Sequence, residues 1–526
     1  MESRMLPLTQ PQTTGSPRGT NQSDARATNK TDIMSEITKS NLKRSLFLMN
    51  CHFTWGLMKN DTDLDDLEDR LYDQIEFVVT KHKSMIYNLL AFVKHLRGKN
   101  EEAIENLEKA VDCIQKNHSE DFARKSIVTF GNFSWVYYHM NQVEDSQLYA
   151  NKVEDACRQL SSPFRFKVQL SEMYGEQGWS CLKFAGKYYH NAKECFEKAL
   201  ELEPEEPEWN SGYATAVYRL QGFVMKHDVT EDTKCLELLR HAVKLNPKDT
   251  VVMALLSLKL QDMKQEEEAD KYMRDALEKT PDLPYLLRYA AKFYRRKGLP
   301  DESLKLLKQA IKLTPTSGFL HHQIGLCYRQ KLFDVKKNAK FAKSRYPSAS
   351  PMGEKEGERK DLVQKAIYHF ELVIEQKPKF IYAYTDLANM YAEANQDDKA
   401  EETFKKVFCM ENLTLQEKQQ VNLNYGRFQE YKKKSETEAL KYYREGLMIK
   451  YESYERDSCK KSLKRLAEKM LKINSRDAKA FGILAYLHQL DGEKMQAIEC
   501  YEKALQLDPG NEEYLSALCD MRLSMS

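Results

Sequence analysis

Tyr285, Arg288, Lys292, Arg295 and Arg296 fall within twelve residues of one another at intervals of three, four, three and one. On a helix that turns about 100° per residue, these five side chains share an arc of about 100°. Ala290, Ala291, Phe293 and Tyr294 take the other side and form a packing face. Four cations and a phenol on one stripe suit a polyanion. Lys and Arg neutralise phosphates and release their counterions, Arg offers paired N–H donors, and tyrosine stacks on bases. From Tyr285 to Arg345 the chain carries 15 Lys/Arg against 3 Asp/Glu. The acids that usually alternate with bases on a solvated helix face are therefore missing.

Other chemistries find little support. His321 and His322 have no further ligand at metal-binding spacing, and the 11 cysteines are scattered singly with no Cys-x-x-Cys pair. Dispersed thiols fit a reducing compartment, where most act as small core residues. No Gly-rich phosphate loop, His-Glu-x-x-His or Gly-x-Ser-x-Gly occurs. The expectation is a protein without catalytic residues, metal or cofactor, and not an enzyme.

The elements that position the basic stripe are legible as an internal repeat of 34 residues. In the tetratricopeptide pattern a small residue stands at positions 8 and 20, a large apolar one at 24, Ala at 27 and Pro at 32. Ser180, Ala192, Phe196, Ala199 and Pro204 fill those places, as do Ser257, Ala269, Met273, Ala276 and Pro281. Ala291, Ser303, Leu307, Ala310 and Pro315 repeat the pattern, and so do Ala485, Ala497, Tyr501, Ala504 and Pro509. Partial matches run through Ala91/Ala103/Leu107/Ala110 and Ala388/Ala400/Phe404/Val407. Small residues let paired helices approach, the large residue plugs the next repeat, and Pro stops the second helix. In such repeats positions 2, 5, 9, 12 and 13 of the first helix face the concave side, and those positions are the five residues of the stripe.

The period breaks near residues 222–234 and 411–420, and a polar insert at about 333–359 splits one repeat. Such interruptions predict a curved structure of helical sub-bundles instead of a uniform solenoid. Residues 1–33 are rich in Ser, Thr, Gln, Asn and Pro, and too poor in large apolar groups to offset their ordering entropy. They are read as a disordered extension. The expected organisation is then an N-terminal superhelix at 34–280, basic central repeats at 281–378 and C-terminal repeats at 379–526. The 526 residues carry a formal net charge of +2 and are 41% hydrophobic and 30% charged, with no apolar run long enough to span a bilayer. That composition suits a cytosolic, helix-rich protein, and its bulk charge neither invites nor forbids nucleic acid.

Several segments are more specific than a generic repeat: CHFTWGL (Cys51–Leu57), YNLLAFVKHLRG (Tyr87–Gly98), GWSCLKFAGKYY (Gly178–Tyr189), YLLRYAAKFYRRKG (Tyr285–Gly298), LHHQIGLCY (Leu320–Tyr328) and YGRFQE (Tyr425–Glu430). From about Met34 to its end the chain resembles the interferon-induced proteins with tetratricopeptide repeats. The resemblance implies an all-α tetratricopeptide superhelix whose sub-bundles enclose a basic central pocket. It also implies an antiviral sensor that grips the 5′ end of single-stranded RNA, bearing a triphosphate or a cap without ribose 2′-O-methylation, and so blocks translation of foreign RNA.

By the same resemblance Lys183, Arg219, Arg288, Tyr289, Lys292, Arg295, His322 and Gln323 match phosphate-binding residues. Arg70 and Gln74 match a pair that closes over the triphosphate. Tyr189 corresponds to a residue near the first ribose, and Trp179, Val78 and Thr80 to residues around the cap base. Phe380 matches an aromatic near later nucleotides, and Tyr285 lies on the same face. Tyr501 and Leu505 fit a Tyr-x-x-x-Leu pattern through which relatives form homo- or hetero-oligomers, although both positions are also ordinary repeat positions. Val251 and Met253 depart from the tyrosine and lysine of cap-binding relatives, which puts contacts to the second and third nucleotides in question.

Overall fold

In the computed structural model, residues 39–78, 80–222, 229–345, 352–411 and 413–523 are described. The N-terminal extension 1–33 lies outside them, as do parts of the period breaks near 222–234 and 411–420 and part of the polar insert. Among the described residues all regular structure is helical. The chain divides into two compact units, one ending at Pro204 and the other beginning at Glu205.

In the first unit a helix at 39–46, two short 3-10 turns (His52–Thr54 and Lys59–Asp61) and the Leu64–Phe77 helix precede three antiparallel pairs. These are Lys83–Leu96 with Asn100–Asn117, Phe122–His139 with Val143–Gln159, and Ser171–Phe184 with Tyr189–Leu202. In the second unit Pro207–Gln221 pairs with Val229–Leu245, Thr250–Asp262 with Glu266–Lys279, and Pro284–Arg296 with Pro300–Leu313. Gly318–Arg345 then pairs with Met352–Gln376, and Ile381–Glu393 with Asp397–Phe408. Further pairs follow, and the last helix described is Glu512–Leu523.

The repeat positions do what their size predicts. Ser180, Ala192, Phe196 and Ala199 are buried, and a Cβ built on Gly178 would stand 2.9 Å from the Phe196 ring. Gly325 is held in the same way by Phe370, at 2.5 Å. A second role for the small positions is not contained in size alone. Ser257 Oγ donates to the Ala269 carbonyl at 2.6 Å, and Ser303 Oγ to the Ala291 carbonyl at 2.8 Å. In each case a position-8 and a position-20 residue join the two helices of one repeat by a buried hydrogen bond.

In several of the pairs the chain turns from one helix to the next through one left-handed residue. Gly98, Gly298 and Gly492 fill it at φ 79°, 79° and 76°, while Asn141, Lys264 and Asn395 fill it at φ 62°, 60° and 58°. The polar insert keeps the helical pattern where it is described. It lengthens both members of its pair, to 28 and 25 residues, against the 13 and 14 of the preceding pair.

Candidate nucleic-acid interface

In the second unit Pro284 starts the Pro284–Arg296 helix at its first turn, where a missing N–H costs nothing. Leu286, Leu287, Ala290, Ala291 and Phe293 are buried on one side. Tyr285, Arg288, Tyr289, Lys292 and Arg295 lie half-buried on the other. The Arg288 guanidinium sits among three rings, 5.0 Å from Tyr285, 5.3 Å from Tyr289 and 4.4 Å from Phe319. Such stacking presents the guanidinium edge while covering its apolar faces.

Arg219, from the Pro207–Gln221 helix, and Arg288 both act on the Tyr289 phenol, by their charge and as hydrogen-bond donors. Burial pushes this phenol up, but the two guanidiniums outweigh it and bring the pKa down to about 7. One turn on, burial and then Arg296 and Arg295 hold the Lys292 ammonium below its ordinary range. Burial also lowers Arg295, with Arg329 and Arg296 adding to the effect. Among the described residues neither Lys292 nor Arg295 forms a carboxylate ion pair. Cations depressed by burial and then by one another mark a place where an anion would be favoured.

Arg295 Nη2 donates to Gln323 Oε1 at 3.4 Å. His322 is buried, with Nε2 2.9 Å from Asp386 Oδ2 and the Phe380 ring edge-on at 4.9 Å. Arg329 pairs with the other oxygen of Asp386. The second unit thus joins Arg219, Tyr285, Arg288 and Tyr289 in one cluster and Arg295, His322, Gln323 and Phe380 in a neighbouring one. Arg296 behaves differently from its stripe-mates. It is exposed and neutralised by Asp262 at 2.7 Å, so its charge belongs to an ordinary surface pair.

In the first unit Arg70 is tied to Asp66 at 2.9 Å and donates from Nη1 to the Lys183 carbonyl at 3.2 Å. Gln74 is buried on the same helix. Val78 and Thr80 occupy the connector beyond it, where the Thr80 hydroxyl accepts from the His82 N–H at 3.1 Å. Trp179 is half-buried, edge-on to Phe196 at 5.4 Å, with the Lys183 ammonium 5.3 Å from its ring. Its indole Nε1 is buried and finds no hydrogen-bond partner among the described residues. Tyr189 is half-buried at the start of the Tyr189–Leu202 helix.

Sequence reasoning passed over three residues here. Arg329 stands at position 12 of its repeat, so the rule that picked out Arg295 also points to it. Asp386 occupies position 6, which the concave-face rule ignores. Glu176, one turn before Trp179, is fully buried, bonded to Asn88 at 2.8 Å and pushed up to about 7 by burial. Other residues land away from the expected face. Met253 is part of the core and Val251 is half-buried at the start of its helix. Tyr501 is buried, donating to Gln489 Oε1 at 2.9 Å, and Leu505 packs against the same cluster. His321 meets His369, with Nδ1 atoms 3.0 Å apart. Among the described residues no group of three or more His, Cys, Asp or Glu side chains could hold a metal ion, and no helix is long and apolar enough to cross a membrane.

Tetratricopeptide-repeat models match residues 180–206 and 478–511. The chain is 44% identical over 468 residues to the human antiviral innate immune response effector IFIT1, covering 89% of this chain and 96% of that protein. A solved structure of an IFIT1 monomeric mutant with Gppp-AAAA superposes with TM-score 0.81 at 43% identity, over 89% of this chain and all of that one. The human IFIT1 dimer with PPP-AAAA gives TM-score 0.76 at 42% identity, over 89% and 99% of the two chains. Identity of this extent, the repeats and the helical architecture agree, and the chain belongs to the family of interferon-induced proteins with tetratricopeptide repeats.

Proposed function

We propose that this protein is an antiviral RNA-binding effector, working in the cytoplasm without catalysis, that holds the 5′ end of single-stranded RNA and withholds it from translation. The ends it takes carry a triphosphate or a cap lacking 2′-O-methylation. Arg219, Arg288, Tyr289, Lys292, Arg295, His322 and Gln323 of the second unit hold phosphates, as do Lys183, Arg70 and Gln74 of the first. Trp179, Val78, Thr80 and Tyr189 contact the cap or first nucleotide, and Tyr285 and Phe380 the following ones. The observation that carries this reading is the convergence of Arg219 and Arg288 on Tyr289, beside the depressed Lys292. A triphosphate supplies the three to four negative charges that such a cluster lacks. Recognition of phosphates and ring faces, with little base-edge reading, tolerates any sequence. The solved relatives with Gppp-AAAA and PPP-AAAA support the choice of ligand.

Arg288→Glu tests it directly. Binding of 5′-triphosphate RNA at fixed salt should fall by about 100-fold or more, because a stacked cation becomes an anion. Thermal stability measured at about pH 6, where the Tyr289 phenol is protonated, should stay near wild type, since among the described residues Arg288 pairs with no carboxylate. Unchanged affinity would place the site elsewhere. One RNA carrying 5′-hydroxyl, triphosphate, unmethylated-cap or methylated-cap ends then sets the order of preference.

The human IFIT1 dimer structure favours a second property, self-association or pairing with other family members. Sedimentation of the purified protein with and without such a partner checks it. Since Tyr501 is buried in its repeat, Leu505 is the better surface candidate of the Tyr501–Leu505 pair.

A further inference from the structure

Asp386 is an acid set within the second unit's basic region. It stands on the Ile381–Glu393 helix with its side chain only 13% exposed. One oxygen accepts from His322 Nε2 at 2.9 Å and the other from the Arg329 guanidinium. Both donors come from the Gly318–Arg345 helix, so one carboxylate ties two helices of successive repeats and two of their polar side chains. With Nε2 committed to Asp386, Nδ1 is the remaining hydrogen-bonding atom of the His322 ring. That atom is buried and has no partner among the described residues. Phe380 and Phe370 flank the ring, 4.9 Å and 5.6 Å away, and leave it little freedom to turn. Asp386 and Arg329 also lie within electrostatic reach of Arg295, which itself bonds Gln323.

We propose that Asp386 is a positioning residue for 5′-phosphate recognition, orienting the His322 imidazole and the Arg329 guanidinium so that His322 Nδ1 and Arg295 meet the phosphate oxygens. This rests on the proposed binding of 5′-phosphorylated RNA. A phosphate oxygen accepts only from an N–H, so with Nε2 donating to Asp386 the His322 ring meets it as the doubly protonated imidazolium, whose orientation and charge the carboxylate behind it supports. Phosphate contacts gain when donors are held in place before the ligand arrives.

The sign of one substitution separates this from bulk electrostatics. Asp386→Asn removes a negative charge from a basic region, so simple attraction would tighten RNA binding. Positioning requires the opposite. Asp386→Asn should weaken 5′-triphosphate RNA about tenfold, leave 5′-hydroxyl RNA within about twofold, and be partly rescued by Asp386→Glu. Equal or tighter triphosphate binding by Asp386→Asn overturns the inference, and so does an equal loss on both RNAs, which would report a general structural defect. Thermal melting shows whether the variant is folded. Should it not fold, the wild-type protein decides by nitrogen NMR: the His322 Nδ1 resonance should move on adding triphosphate RNA and stay on adding hydroxyl RNA, and an unmoved resonance overturns the inference. A wild type that does not discriminate the two RNAs refutes the RNA-end reading instead, whatever the variant does.

Discussion

Arg288 and Arg296 are eight residues apart on one helix and carry the same charge, yet their surroundings assign them different work. Arg288 is enclosed by three rings, whereas Arg296 is paired with Asp262 in water. An exposed ion pair contributes about 0–1 kcal/mol, so losing Arg296 should change little. Tyr289 is more consequential. Its folded pKa of about 7 lies below the ordinary value of 10. A lowered pKa adds stability that is fully present above 10 and is lost as pH falls through about 7. The phenolate that forms above about 7 also competes with phosphate for Arg219 and Arg288. Affinity for 5′-triphosphate RNA should therefore decline as pH rises from about 6 to about 8. Tyr289→Phe should flatten that profile, which a titration at constant ionic strength measures, and a wild-type profile that rises with pH would contradict the arrangement.

Helix pairing rests on a few contacts at the scale of one ring or one methyl group. Gly325 faces the Phe370 ring so closely that an added Cβ would have to displace it. Gly325→Ala should cost about 1–3 kcal/mol of stability by overpacking, read as a lower denaturant midpoint at unchanged slope. The left-handed turn residue between paired helices offers a finer contrast. Gly298 has open space around its missing Cβ but a φ of 79°, so Gly298→Ala should lose about 1 kcal/mol through backbone strain alone. Lys264 holds the equivalent turn at φ 60° with a full side chain, and Lys264→Gly should gain about 0.5–1 kcal/mol. Opposite signs at equivalent turns would confirm that conformation, not contact, governs this position.

Across the whole molecule 81 Lys/Arg nearly balance 79 Asp/Glu. A protein so close to neutral gains little long-range attraction for RNA, and whatever affinity it has must come from the local clusters. Extending a 5′-triphosphate RNA from about 10 to about 40 nucleotides should therefore change affinity by less than about tenfold, while removing the triphosphate should change it far more. The salt dependence should report only the few phosphates held at the end, with a slope of about −0.7 for each. A steep gain with RNA length would instead indicate binding along the outer surface.

The repeat, its packing positions and the basic stripe were all legible in the chain, because periodicity records which side of a helix must be small and apolar and which is free to be charged. Ser180, Ala291 and Phe370 did what their size required, and Arg329 was within reach of the same rule. Hidden from it was everything that depends on which side chain of one repeat meets which of the next. Arg296 was drawn away by Asp262, Met253 was taken into the core, and Asp386 reached across to His322 from a position the pattern treats as neutral. Period and composition act within one helix, and so a single sequence determines them. Ionisation, ring orientation and the pairing of charges depend on distances of a few ångströms between residues 28 to 70 positions apart, such as Arg219 to Tyr289 or His322 to Asp386, and only the folded arrangement of the helices sets those distances.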